Sequence, residues 1–234
     1  MLRRRIFPVI VLLSFFILFS PSLEILAFDC VLDDTSKASL CTYDSRPPID
    51  TIHTLAIYCC GAETLYSLPM YYSSVWQLGE FSVSQFFEDN SDGKYALSCD
   101  AVKDGFYPIQ HPTLDPSEED CAGGGTEFAS VILEIVDSLV DFADYDGDED
   151  GVVDGFFFVI VGDYETPKGC ACLSNFSYQT DDTTLTGDTI EVSGEMGVEV
   201  RIKAPPEPTP EAEFVHICVH QWGHQFGLID LHGG

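Results

Sequence analysis

Three histidines, His216, His220 and His224, stand four residues apart near the C-terminal end of the chain. Side chains at i and i+4 project from one face of an α-helix, so two neutral imidazoles at that spacing can reach one metal ion. Two polar residues on the open face of a helix would have the same spacing. Here it comes with Gly223 before the last histidine, Gly227 three residues after it and Asp230 three residues further on. A glycine turn lets the chain fold back, so that Asp230 can approach the same ion as a third ligand. A ligand set of two imidazoles and a carboxylate suits Zn²⁺. The element that must carry it begins well: Thr209 is an N-cap, Pro210 a first-turn proline and Glu211 an acid near the positive end of the dipole. The predicted helix ends at Gly227, with Val215, Cys218, Val219, Trp222 and Phe226 as its packing residues.

A second group is built from hard oxygen ligands. Asp146, Asp148, Asp150 and Asp154 occupy positions 1, 3, 5 and 9 of a loop with Gly151 at position 6 and the Val152 carbonyl available at position 7, as in the first part of a calcium loop. Position 12 is Phe157 rather than a bidentate Glu, so this is not a helix-loop-helix sensor. A solvated acidic turn is the plainer alternative. Like charges at this density repel one another without a cation, and oxygen ligands favour Ca²⁺ over zinc or copper.

At His220–Leu231 the chain resembles the zincin metallopeptidases, most closely the secreted immune inhibitor A-like family, whose helix reads H-E-F-G-H-x-x-G-L-P-D-L-Y. Two upstream segments add to the likeness. FSVSQFFEDNSDGKYAL (81–97) with GFYPI (105–109) is similar to that family's S-V-x-x-Y-Y-x-x-x-S-x-G-K-x-x-L segment and the strand after it. FADYDGDEDGVVDGFFFVIVG (142–162) is similar to its D-x-D-x-D-G-x-x-D stretch and buried strand. The three occur in the family's order over roughly residues 50–232. The resemblance implies an α+β zincin fold, zinc on His220, His224 and Asp230, and a peptide substrate. It also implies a general base at position 221, where this chain has Gln instead of Glu. An amide can hydrogen-bond a water molecule but cannot accept its proton. Zinc binding does not need that carboxylate, so the resemblance implies a metal site with little or no turnover. Ile229 for Pro and His232 for Tyr are minor departures. The family continues past the position of Gly234 into a subdomain that completes the cleft, so the domain is expected to be incomplete at that end.

The supporting elements follow from periodicity. TIHTLAIYCC (51–60) reads as a strand, Phe81 to Phe87 as a short helix and Lys94 to Cys99 as another strand. Between Glu127 and Ala143, apolar residues at Phe128, Val131, Ile132, Ile135, Leu139 and Phe142 predict a long amphipathic helix. Phe156 to Val161 is a continuous apolar run of the kind buried on both faces, residues 163–197 are polar and turn-rich, and Val198 to Lys203 alternates like an edge strand. Alternating helices and strands predict a mixed α/β layer domain, which the resemblance implies is of the zincin-like α+β kind: a mixed sheet with an active-site helix and a second long amphipathic helix, disulfide-bearing.

Composition sets the compartment and excludes some partners. Arg3 to Arg5, the fourteen uncharged residues from Ile6 to Phe19 and a small-residue region ending at Ala27 form a secretory signal peptide, too short to span a bilayer. Residues 1–27 are therefore expected to leave, 28–50 to form an irregular lead-in, and 51–234 to form the metallopeptidase-like domain of a secreted protein with no membrane span. All nine cysteines follow the signal, in a compartment that permits disulfides. Ordinary bridging to distant partners is expected for Cys59, Cys60, Cys170 and Cys172, and Cys218 is the candidate free thiol. With 10 basic against 39 acidic residues, a net charge of −29 opposes nucleic acid and anionic membranes; a protein or peptide as substrate or ligand is what the resemblance implies. The function expected is zinc-dependent proteolysis, impaired at Gln221, or else a non-catalytic calcium- and zinc-binding interaction module on a peptidase fold.

Overall fold

The computed structural model describes residues 51–61, 66–79, 81–91, 93–104, 108–111, 125–171 and 176–225. The expected signal peptide and lead-in, Phe226, Gly227, Asp230 and the cysteines at 30, 41, 121 and 172 lie outside them. The architecture is mixed α/β. Among the described residues the strands are β1 (Thr51–Gly61), β2 (Ala96–Val102), β3 (Ile109–His111), β4 (Phe156–Gly162), β5 (Lys168–Ala171), β6 (Ser177–Thr183), β7 (Thr189–Ser193) and β8 (Gly197–Lys203). The α-helices among them are α1 (Val83–Asn90), α2 (Gly125–Asp137) and α3 (Glu211–Gln225). The main sheet runs β2-β1-β4-β8-β5, with β3 paired to the end of β1. Every pair in it is parallel except β5–β8, so β5 is an antiparallel edge.

Successive strand residues point to opposite faces, and both faces are covered. Leu55, Ile57 and Cys59 of β1 join Phe156, Phe158 and Ile160 of β4 in a core closed by α2 and the β6–β7 hairpin. Ala56 and Tyr58 join Phe157, Val159, Val161 and the apolar residues of β8 on the other face, under α1 and α3. The FFFVIV run is fully buried for this reason.

Several expectations are corrected. The β8 strand is not an edge: it lies between β4 and β5, buried from Gly197 to Ile202. Its charged alternation survives burial because Glu199 and Arg201, neighbours on one face, form an ion pair at 2.6 Å. Helix α2 ends at Asp137 rather than Ala143. Asp141 accepts a hydrogen bond from the Ala143 amide and starts a separate 3₁₀ turn, Phe142–Tyr145, which carries Phe142 back into the core. Leu139 and Ile135, on the predicted apolar stripe, are exposed as a result. The polar stretch 163–197 holds β5, β6 and β7; the threonines and aspartates of β6 masked its strand character. Helix α1 is displaced toward Asn90, because Ser82 caps it by accepting from the Gln85 amide. Thr209 does not cap α3 with its hydroxyl, which accepts from the Lys203 amide instead. The thiols of Cys59, Cys60, Cys99 and Cys218 are unbridged. Cys59 and Cys60 are consecutive on an interior strand, so their side chains leave it on opposite faces and pack as small hydrophobes. Cys218 is the buried free thiol expected of it. No helix among the described residues is long and apolar enough to cross a membrane.

Candidate metal centre

Helix α3 lies across β8 and β5 because its apolar residues, Phe214, Ile217, Cys218 and Trp222, fall on one side and are buried. Val215 and Val219 are only partly buried against the same core. That docking leaves His220 and His224 half-buried, with their Nε2 atoms 3.3 Å apart and their rings edge to face at a centroid separation of 4.8 Å. Two imidazole nitrogens bound to a tetrahedral zinc at about 2.0–2.1 Å would lie roughly 3.3–3.4 Å apart. The two nitrogens are hydrogen-bonded to each other, and the same spacing would let them share a zinc ion instead. His216, one turn earlier, is exposed, and its ring centroid is 6.3 Å from that of His220. Only the later two histidines converge. Asp230 lies outside the described residues.

Gln221 and Trp222, two of the three residues between the converging histidines, are held from below. Trp222 stacks on Phe157 at 4.9 Å and donates from its indole to the Tyr95 hydroxyl at 2.9 Å, which ties α3 to the segment after α1. Burial, with Asp154 nearby, pushes the Tyr95 phenol well above its ordinary range. Gly155, at the exit of the acidic loop, lies beneath the Trp222 ring, and Gly169 in β5 lies beneath Gln221. Gln221 is 3% exposed. The Gln225 side chain donates to the Gly197 carbonyl at 3.2 Å and fixes the end of the helix on β8. Tyr95, Gly155 and Gly169 were not singled out from sequence. Tyr95 and Gly155 lie within the segments 81–97 and 142–162 that carry the resemblance, whereas Gly169 lies in neither.

The acidic loop brings Asp146, Asp148 and Asp150 together, with a carboxylate oxygen of each within 4.8 Å of the others. Its own backbone shapes it. Asp146 accepts from the amides of Asp150 and Gly151 at 3.0 Å, Asp150 accepts from Val152 at 2.9 Å, and Asp154 accepts from Gly147 at 3.0 Å. Glu149 and Gly151 take positive φ angles of 59° and 85° to make the turn. Val152 bridges to Glu191 of β7, which anchors the loop to the hairpin. The trio could hold a hard cation; the Asp154 carboxylate closes the loop neck instead of joining them.

A second acidic trio was not expected from sequence, since its members are far apart in the chain. Asp137, at the end of α2, meets Asp181 and Asp182 of β6. Burial, and the neighbouring carboxylates of Asp181 and Asp182, raise the Asp137 pKa against the opposing effect of hydrogen bonds from Tyr178 and the Asp181 amide. A carboxyl group that holds its proton more tightly when folded stabilises the fold at low pH and loses that contribution as the pH rises through its folded value. Asp137→Asn is accordingly expected to raise the melting temperature at pH 7 in chelator, with the advantage disappearing below the ordinary Asp range; thermal scans across pH measure it.

No protein-family model and no curated protein matches this chain.

Proposed function

We propose that this chain is a secreted zinc metallopeptidase-like protein of the immune inhibitor A-like zincin type, with His220 and His224 as zinc ligands and Asp230 as the third. The 3.3 Å convergence of the two Nε2 atoms is the observation that supports it most strongly. A zinc ion held there supplies Lewis acidity, polarising a peptide carbonyl and making water a better nucleophile. The chain's own residues do the rest. His220 and His224 present their Nε2 atoms from one helix face, Trp222 locks that face on the sheet, and Gln221 occupies the position from which a base would take a proton. Its amide can orient water but cannot receive the proton. The substrate or ligand is a protein or peptide, consistent with a surface too acidic for nucleic acid. The signal-like residues 1–27 support secretion.

A second reading, a non-catalytic calcium- and zinc-binding module on the same fold, is favoured by the amide at 221. Casein incubated with the mature chain separates the two: fragments that vanish with a zinc chelator support turnover, and intact casein supports the module. In both readings Asp146, Asp148 and Asp150, with the Val152 carbonyl, hold a structural Ca²⁺, and Asp154, expected from sequence as a further ligand, braces the loop neck instead. Ligand at a hundredfold excess over its dissociation constant stabilises a fold by about 2.7 kcal/mol. Calcium is therefore expected to raise the melting temperature by several degrees over a chelator control, and Asp146→Asn to abolish the increase.

A further inference from the structure

The side chain at 221 is carried by helix α3 and is also approached by a strand. Gly169 in the edge strand β5 is the register partner of Val200, so it faces α3. A Cβ built on Gly169 would lie 2.7 Å from Ile217 Cγ2, closer still to Gln221 Cγ and 3.0 Å from Gln221 Cδ. Separations under 3 Å are not tolerated by real Cβ atoms without displacement of the neighbour. The Gly169 backbone does not adopt the left-handed region, so φ does not explain the residue. What requires glycine there is the close approach of the Gln221 stem.

We infer that Gly169 is a positioning residue: by omitting a side chain it fixes the Gln221 side chain against β5, so that the strand as well as the helix determines where the group at 221 stands relative to His220 and His224. Its relevance to catalysis rests on the zinc-peptidase reading, but its structural content does not. The helix is seated by Phe214, Ile217, Cys218 and Trp222. The atoms nearest to a methyl group at 169 belong to Ile217 and Gln221, so those two side chains would have to give way first.

The test is a stability cycle on the full mature chain. Gly169→Ala is expected to lower the urea midpoint clearly in the parent and by less than half as much in a Gln221→Ala background, where Cγ and Cδ are gone. If the single variant does not fold, recovery of folding in the double variant gives the same answer. Equal losses in both backgrounds, or relief by Ile217→Ala and not by Gln221→Ala, would overturn the inference. A second readout concerns the site. In a Gln221→Glu chain that hydrolyses casein, Gly169→Ala should leave zinc stoichiometry and KM unchanged and lower kcat at least tenfold; an unchanged kcat also overturns it. If Gln221→Glu does not hydrolyse casein, the peptidase reading fails by itself, and the stability cycle still decides the role of Gly169.

Discussion

Replacing Gln221 with Glu is expected to raise casein hydrolysis by roughly 10²- to 10⁴-fold over the parent, the usual contribution of a general base. The reasoning starts from what an amide lacks. Gln has the length and shape of Glu, and it occupies a buried position with its stem against Gly169 and its helix neighbours His220 and Trp222 fixed on the sheet. The substitution therefore changes one atom and the charge, not the packing. Zinc content should stay the same because neither imidazole is altered. The gain should appear in kcat with KM little changed, since an interaction made only while the proton moves does not alter substrate binding. A zinc-loaded Gln221→Glu chain with no activity would favour the interaction module.

Glu199→Ala is expected to be among the most destabilising single substitutions in the molecule, at about 3–5 kcal/mol, the range for breaking a buried ion pair. Glu199 and Arg201 are 3% and 7% exposed in the middle of the sheet, and removing the carboxylate leaves a guanidinium in that interior without the group that neutralises it. For a chain of this size the loss corresponds to a fall of roughly 6–20 °C in melting temperature. Replacing both residues with apolar ones of similar volume should cost far less than either single change, because the burial of charge is then avoided altogether. Urea or thermal unfolding of the two single variants and the double variant measures this directly. A loss under 1 kcal/mol in Glu199→Ala would mean that solvent reaches the pair.

Much of the fold could be read where burial and chemistry agree. The apolar runs at 55–60 and 156–161 become interior strands because nothing in them conflicts with burial on both faces. Helix α3 could likewise be read from its proline, its acidic start and its apolar spacing. The readings that failed involve tertiary compensation. Glu199 and Arg201 suggested a solvent-facing edge, whereas their mutual neutralisation permits an interior strand. Thr180 and its polar neighbours concealed β6, a strand that buries one residue in a polar run and borrows the rest of its apolar face from Ile190 and Val192. The continuing apolar period after Asp137 concealed a helix end fixed by the Asp141 cap and by Asp182, which accepts from the Phe142 amide. At the site, the pairing of His220 with His224 is a property of one helix and was visible in the spacing. The seating of Gln221 and Trp222 on Gly169 and Gly155 depends on strands distant in sequence and had no local signature.

The central claim is that the two converged imidazoles are zinc ligands. It is tested most directly by the zinc-to-protein ratio of the purified mature chain, measured after supply of zinc and removal of loosely bound metal, beside His220→Ala and Gln221→Glu. The account predicts one zinc in the parent, one in Gln221→Glu and none in His220→Ala. A parent chain that retains no zinc while folded, or a His220→Ala chain that retains it in full, would contradict the account.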